Sequence, residues 1–474
     1  MTRKIKTETK CAFLSSLTVG VLFFTTIGMS VANAGSDFES WLVRQSNVAW
    51  TKMTQNISPA GSRAGAVVAA PRTPAPPDYG FHWLRDSGIV MNVVRQGGDR
   101  VRMRDFVTFN QVLQQVNTPA GLGEPRFNLD GTVDQTPWGR PQYDGPALRA
   151  IALIRFAEDL LADTNPDMGY VTGTLQPMIQ KDLDYVEGQW SAHNGFDLWE
   201  ESQGYHFFTR YGQGKAYQIG ARLFRRLGAL AKAAEYDHFA SDIHQSLDSF
   251  WNAQNQVFVP ILSPQGGSAG KQNLIDTSTI LAMISDSDND AWMPLTDERV
   301  LSTMFRQLDT FRNLYPINRA SVGYPGVAMG RYPEDRYTGS DTGAQGNPWP
   351  LVNDGFAQIH YRLAKQLEQA GTVTFTALSL AFYQDLNPVA NYHVGQVLAG
   401  GSAGFKDLLA HVLARGDTFL ARVRVHLPAD GSMAEQMDRN TGYMTSARNL
   451  TWSYASFVGA VQERALVTQY LGAH

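Results

Sequence analysis

The chain has 474 residues, 43% of them hydrophobic and 11% aromatic, with 40 basic against 44 acidic side chains. A chain of this length buries a sizeable core unaided, and so aromatic a composition with only 18% charged residues excludes intrinsic disorder. A net charge of -4 lacks the basic excess that marks nucleic-acid binders, so no nucleic-acid partner is expected.

Residues 1–34 differ in character from the rest of the chain. Arg3, Lys4, Lys6 and Lys10 precede an apolar stretch from Cys11 to Met29, and Ala32 and Ala34 place small residues where a signal peptidase reads. Serines, threonines and glycines dilute that stretch, which predicts a cleaved signal peptide rather than a membrane anchor. The protein is therefore expected to be exported, secreted or periplasmic, with no membrane association after cleavage. Cleavage would remove Cys11, the only cysteine, so the mature chain would depend on its core rather than on disulfides.

No linker or low-complexity tract divides residues 35–474, which read as a single domain without a separate binding module. Ala66–Ala70 is open between strand and loop, and the proline cluster at Pro71–Pro77 reads as a loop. Helical periodicity begins clearly at 147–162, where Leu148, Ile151, Ile154 and Leu161 share a spacing, and recurs near 215–232, 235–252, 355–370, 373–384, 404–424 and 450–471. Strand patterns are few and short. An all-α protein is predicted, and periodicity alone leaves the arrangement of its helices open.

The segments between helices hold Trp, Tyr, Arg, Asp and Glu together, the types that grip sugars: rings stack on pyranose C–H faces while carboxylates and guanidinium groups bond hydroxyls. Five such clusters are Asp78–Ser87, Trp138–Arg149, Gly195–Glu201, Gly330–Asp335 continuing to Gly346–Trp349, and Ala434–Gln436 followed by Ser446–Tyr454. Singly, each has an ordinary explanation. Arg85 and Asp86 could form a surface ion pair, Glu200 and Glu201 a solvated helix start, and Trp199 and Trp452 plain core. Together they point to a carbohydrate site.

With these clusters in this order, and with the strings Phe196-Asp197-Leu198-Trp199-Glu200-Glu201 and Gly330-Arg331-Tyr332-Pro333-Glu334-Asp335, the chain from Trp41 onward resembles the glucoamylases of glycoside hydrolase family 15, particularly their fungal and yeast catalytic domains. The resemblance implies an (α/α)6 barrel with the active site in the loops at one end, and a monomer acting on α-1,4-glucans without a cofactor. It also implies Glu200 as general acid and Glu435 as general base, with Ser446 hydrogen-bonded to the base. Arg85, Asp86 and Arg331 would hold the terminal glucose, Glu201 would bind the next sugar, and Tyr79, Trp138, Leu198, Trp199 and Trp452 would line the substrate pocket. An inverting hydrolase needs a proton donor on the leaving oxygen and an ionised carboxylate activating water across the ring, roughly 6.5–9.5 Å apart. Glu201 and the adjoining tryptophans are expected to keep Glu200 protonated, and a hydroxyl partner to keep Glu435 ionised.

Two positions depart from the family pattern: Tyr143 stands where a second arginine is usual, and Gly80 where a larger, usually aromatic, residue is usual. Both are expected to widen or soften the pocket wall, which keeps α-1,6-dextran ends and trehalose open as substrates beside starch dextrins. A non-catalytic carbohydrate-binding protein is the remaining alternative. Gly266–Gly270 and Gly400–Gly404 fit a serine-nucleophile pattern, but neither is expected to follow the strand that such an elbow requires. No His-Glu-x-x-His spacing is present, and no catalytic metal is expected.

Overall fold

Gly145–Leu161 carries apolar residues on every face, opens with Pro146 in its first turn, and is buried almost throughout. Such a helix has no solvent side and must be surrounded. Glu298–Leu314 is the opposite kind, with Val300, Leu301, Met304, Leu308 and Phe311 on one stripe and charges on the other. These two types alternate along the chain in this computed structural model, which describes residues 37–74, 76–266, 271–272, 274–286, 292–340 and 344–473. The expected signal peptide lies outside the described residues.

The helices that build the barrel are α1 (Asp37–Gln55), α2 (Leu84–Gln96), α3 (Arg100–Leu113), α4 (Gly145–Leu161), α5 (Gln176–Glu187), α6 (Phe207–Arg226), α7 (Leu230–Leu247), α8 (Ser278–Leu281), α9 (Glu298–Leu314), α10 (Pro350–Ala370), α11 (Ala403–His426) and α12 (Thr451–Ala473). The even-numbered helices pack side by side in sequence order, and α12 returns to α2 to close an inner ring. The odd-numbered helices lie outside. From α3 on, each outer helix covers the inner helix that precedes it, whereas α1 covers α12, so the two ends of the described chain meet. Arg464 of α12 holds Glu39 of α1 at 2.7 Å. This is an (α/α)6 barrel.

Most predicted helices are present. The exception is 373–384, where Thr372–Thr374 is a strand and the helix runs only over Leu380–Leu386. Ala66–Ala70 is loop, touching Ile57 through one bridge at Val67. Contrary to expectation, both Gly-x-Ser-x-Gly patterns follow strands, Ile261–Gly266 and Val397–Ala399, each paired antiparallel. The second pattern's Ser402 is not a nucleophile elbow, since its Oγ caps α11 by accepting from the Phe405 N–H. Gly267–Gly270 lie outside the described residues.

Buried charge in the helical layers is met by ion pairs or by hydrogen bonds, as between Arg149 of α4 and Asp182 of α5, where Nε donates at 2.9 Å, or where Arg422 of α11 donates to backbone carbonyls. Asp354 of α10 departs from this rule. It is fully buried, neither carboxylate oxygen has a hydrogen-bond partner, and burial pushes its pKa well above the ordinary carboxylate range. The folded chain thus holds this proton more tightly than the unfolded chain. The contribution of this one group to folding is therefore greatest below about pH 4 and falls as pH rises beyond it. Asp354→Leu is expected to stabilise the protein at pH 7 by about 1–3 kcal/mol, with a smaller gain at pH 4, as read by denaturant unfolding at both pH values.

Candidate active site

The barrel's inner helices start at one end, and the loops that precede them carry the sugar-gripping clusters. There a cavity of about 650 Å³ is lined by Tyr79, Arg85, Asp86, Trp138, Leu198, Trp199, Glu200, Glu201, Arg331, Glu435 and Trp452, with Arg126, Tyr337 and Trp349 beside them. Every expected site residue except Ser446 lines this one hollow. Ser446 stands behind Glu435 and donates its hydroxyl to Glu435 Oε2.

Glu200 and Glu201 do not start a helix. They sit in the turn between strands Gly195–Phe196 and Gln203–His206, where Glu200 has φ +66°, an uncommon left-handed conformation for a residue with a side chain. Asp197 fixes the turn: its Oδ1 accepts from the backbone N–H of Glu201 at 2.7 Å and of Ser202 at 3.0 Å. Burial alone would raise the Asp197 pKa, but Lys271 at 3.1 Å, His206 and those two N–H groups outweigh it and bring it down to about 2. The turn is therefore held by a charge at any working pH.

Four N–H donors meet on the Glu200 carboxylate. Oε1 accepts from Trp83 Nε1 at 2.8 Å, Arg85 Nη2 at 3.0 Å and Gln142 Nε2 at 2.9 Å, and Oε2 accepts from Trp138 Nε1 at 2.8 Å. Of the neighbours expected to act on Glu200, Trp138 does so, whereas Glu201 and Trp199 are engaged elsewhere. Glu201 accepts from Arg331 at 2.8 Å and from the Tyr332 hydroxyl, and Trp199 donates its indole N–H to Asp276 at 2.9 Å. The glutamate is thus set by donors from separate loops, rather than by its sequence neighbours.

Glu435 lies on strand Ala434–Met437, buried, and accepts from the Tyr79 hydroxyl at 2.9 Å as well as from Ser446. These hydroxyls and Arg331 pull its pKa down, yet burial outweighs them and it is pushed up to about 7. The expectation that hydroxyl support alone would keep it well ionised is corrected: desolvation is the larger effect. Gly339 matches this packing, since it has φ +92° and a Cβ there would come within 2.4 Å of Ser446 Oγ. The two carboxylates are linked through aromatic contact, because Tyr79 packs edge-on against Trp83 at 5.5 Å.

Beside Glu200, Arg85 also holds Asp144 at 3.0 Å and Asp86 at 3.7 Å. Burial raises the Asp86 pKa to about 7 despite Arg85. On the opposite side Arg331 bonds Asp335 at 2.8 Å through Nε.

The two departures from the family pattern leave the wall intact. Tyr143 is buried away from the hollow, donating to Asn194 at 3.0 Å and packing on Gly195. At Gly80 the space that a Cβ would take is occupied by the Arg72 side chain, 2.2 Å away, whose guanidinium lies over Phe81 at 5.1 Å. The expected widening is therefore not present at either position. Among the described residues the one acidic group arranged like a metal site, Asp184, Glu187 and Glu235, lies on outer helices, and the Lys232 ammonium already sits 2.7 Å from Glu235 and 2.9 Å from Asp184.

Trp83, Gln142, Tyr332, Asp335 and Trp349 stood inside the clusters without an expected role. Arg126, Tyr337, Lys271 and Asp276 lay outside them and carried no local signal.

The family described as Glycosyl hydrolases family 15 matches residues 44–462. The chain belongs to this family. It is 39% identical over 441 residues to Glucoamylase 1 of Rhizopus oryzae, covering 91% of this chain and 72% of that protein. Among solved structures, the family 15 glucoamylase from Hypocrea jecorina superposes with a TM-score of 0.81 at 33% identity, covering 91% of this chain and 73% of that one. The glucoamylase from Saccharomycopsis fibuligera gives 0.80 at 30%, covering 91% and 96%. The chain is thus a glycoside hydrolase that groups with glucoamylases, and no helix among the described residues is long and apolar enough to cross a membrane.

Arg85 forms ion pairs with three carboxylates, Asp86, Asp144 and Glu200, from three segments. Arg85→Met is expected to cost about 3–5 kcal/mol of stability, measured by denaturant unfolding at pH 7.

Proposed function

We propose that this enzyme is an inverting exo-glucosidase that removes β-D-glucose from the non-reducing ends of α-1,4-glucans, with Glu200 as general acid and Glu435 as general base. The observation that carries this reading is two carboxyl groups lining one sugar-sized hollow in differently built surroundings. Glu200 Oε1 is filled by three donors, so a proton on this carboxyl rides on Oε2, which accepts only from Trp138. From there it can pass to the glycosidic oxygen as the bond breaks.

Glu435, with a pKa near 7, suits a base that takes a proton from water as the water attacks the anomeric carbon from the other side. Arg85, Asp86 and Arg331 would bond the hydroxyls of the terminal glucose, and Glu201 those of the next sugar. Tyr79, Leu198, Trp199 and Trp452 would form apolar and aromatic walls, with Trp138 at the mouth, about a third exposed. Ser446 would orient the base. The intact wall at Gly80 and Tyr143 favours starch dextrins over α-1,6-dextran ends or trehalose. We further propose that the protein is exported and acts as a monomer.

Glu200→Gln is expected to abolish turnover of maltotetraose while leaving its binding largely intact, as followed by glucose release and calorimetry. Near-normal activity in that variant would overturn the assignment. The parent enzyme should release the β-anomer first, visible by proton NMR before mutarotation, and release of the α-anomer would rule out inversion. Ser446→Ala removes a donor that lowers the Glu435 pKa, so the acid limb of the kcat/KM profile should move to higher pH. An unmoved limb would count against Glu435 as the base.

A further inference from the structure

One buried cation lies beneath both indoles that hold Glu200. Arg126 belongs to the two-residue strand Arg126–Phe127, which pairs antiparallel with His82–Trp83 in a register that sets Arg126 opposite Trp83. Its guanidinium carbon lies 3.6 Å from the ring centroid of Trp138, 5.1 Å from Trp83 and 4.5 Å from Phe81. Trp83 and Trp138 meet edge to face at 6.0 Å, and their N–H groups reach the two different oxygens of Glu200. The guanidinium is itself fixed: Nε donates to Asp134 Oδ2 at 2.6 Å and Nη2 to Thr136 Oγ1 at 2.7 Å. Arg126 is 3% exposed. Asp134 and Thr136 belong to the loop that ends in Trp138, so the same side chain ties down that loop and stacks on its tryptophan.

We propose that Arg126 is a positioning residue for the acid step: its guanidinium clamps Trp83 and Trp138 and thereby fixes the orientation of the Glu200 carboxyl toward the glycosidic oxygen. A cation on an indole face is attracted by the ring and draws electron density from it, which makes the ring N–H a better donor at its edge. Two such donors, one on each oxygen, define the plane of the carboxyl. A planar guanidinium can lie flat against one ring while its edge reaches Asp134 and Thr136, whereas a lysine ammonium offers charge without a stacking face. Arg126 touches no reacting atom in this scheme and acts through the two rings.

The inference rests on Glu200 being the acid, and the test separates the two claims. Maltose needs a proton on its leaving oxygen, whereas α-glucosyl fluoride loses fluoride without a placed acid, so the ratio of the two rates reports the acid step. Arg126→Met should lower kcat on maltose by at least about tenfold, part of the roughly 10²–10⁴ that a placed acid contributes. The same variant should keep kcat on α-glucosyl fluoride within about threefold of the parent, with KM for maltose changed less than kcat. Arg126→Lys should restore part of the loss. Asp134→Asn breaks the ion pair but leaves the stack, and should keep the parent's ratio. Equal losses on both substrates in a folded Arg126→Met protein, or the same skewed ratio in Asp134→Asn, would overturn the positioning role and leave the acid assignment standing. Maltose turnover by Glu200→Gln at the parent rate would instead remove the acid assignment, and the positioning role with it.

Discussion

Four N–H groups meet on one carboxylate, and the loops at this end of the barrel are arranged so that they can. Trp83 and Arg85 come from the start of the second helix, Trp138 and Gln142 from the long connection before the fourth, and Glu200 from a turn before the sixth. Each of these segments has hydrogen bonds of its own, as where Asp197 fixes the turn that carries Glu200. They are held further by buried charges, Arg85 with Asp144 between two of them and Asp197 with Lys271 of another loop. A left-handed backbone at Glu200 is tolerated because the surroundings determine it from several sides.

The second carboxylate is built on a different plan. Glu435 sits within a hairpin, buried, with two hydroxyl donors, a longer N–H donor in Gln436 Nε2 at 3.3 Å, and charge only at a distance. Desolvation then dominates and draws its titration toward neutrality. Two glutamates in one hollow therefore differ in the chemistry of their partners.

Much of this was legible in the sequence because it is local. Helices with apolar spacing, such as α4 and α12, announce themselves, and the sugar-binding strings are contiguous enough to be read as units. The closed ring of helices came only from resemblance, since no periodicity states which helix lies beside which. The partners of Glu200 were misjudged for a related reason. Sequence adjacency suggested Glu201 and Trp199, but in a tight turn neighbouring side chains diverge, and both found partners across the hollow in Arg331 and Asp276. Arg126 was invisible because its importance comes from strand register, and Gly80 misled because the side chain that fills its space, Arg72, lies in a separate loop segment.

The ring is closed by the first described helix lying against the last, and α12 opens with Trp452 in the pocket wall. A chain emerging from the ribosome N-terminus first must keep α1 without its partner until α12 has been made. Neither the complete hollow nor its chemistry exists before that point. Synthesis must reach α12 before hydrolysis can begin, and loss of that helix would remove part of the pocket together with the seam of the barrel.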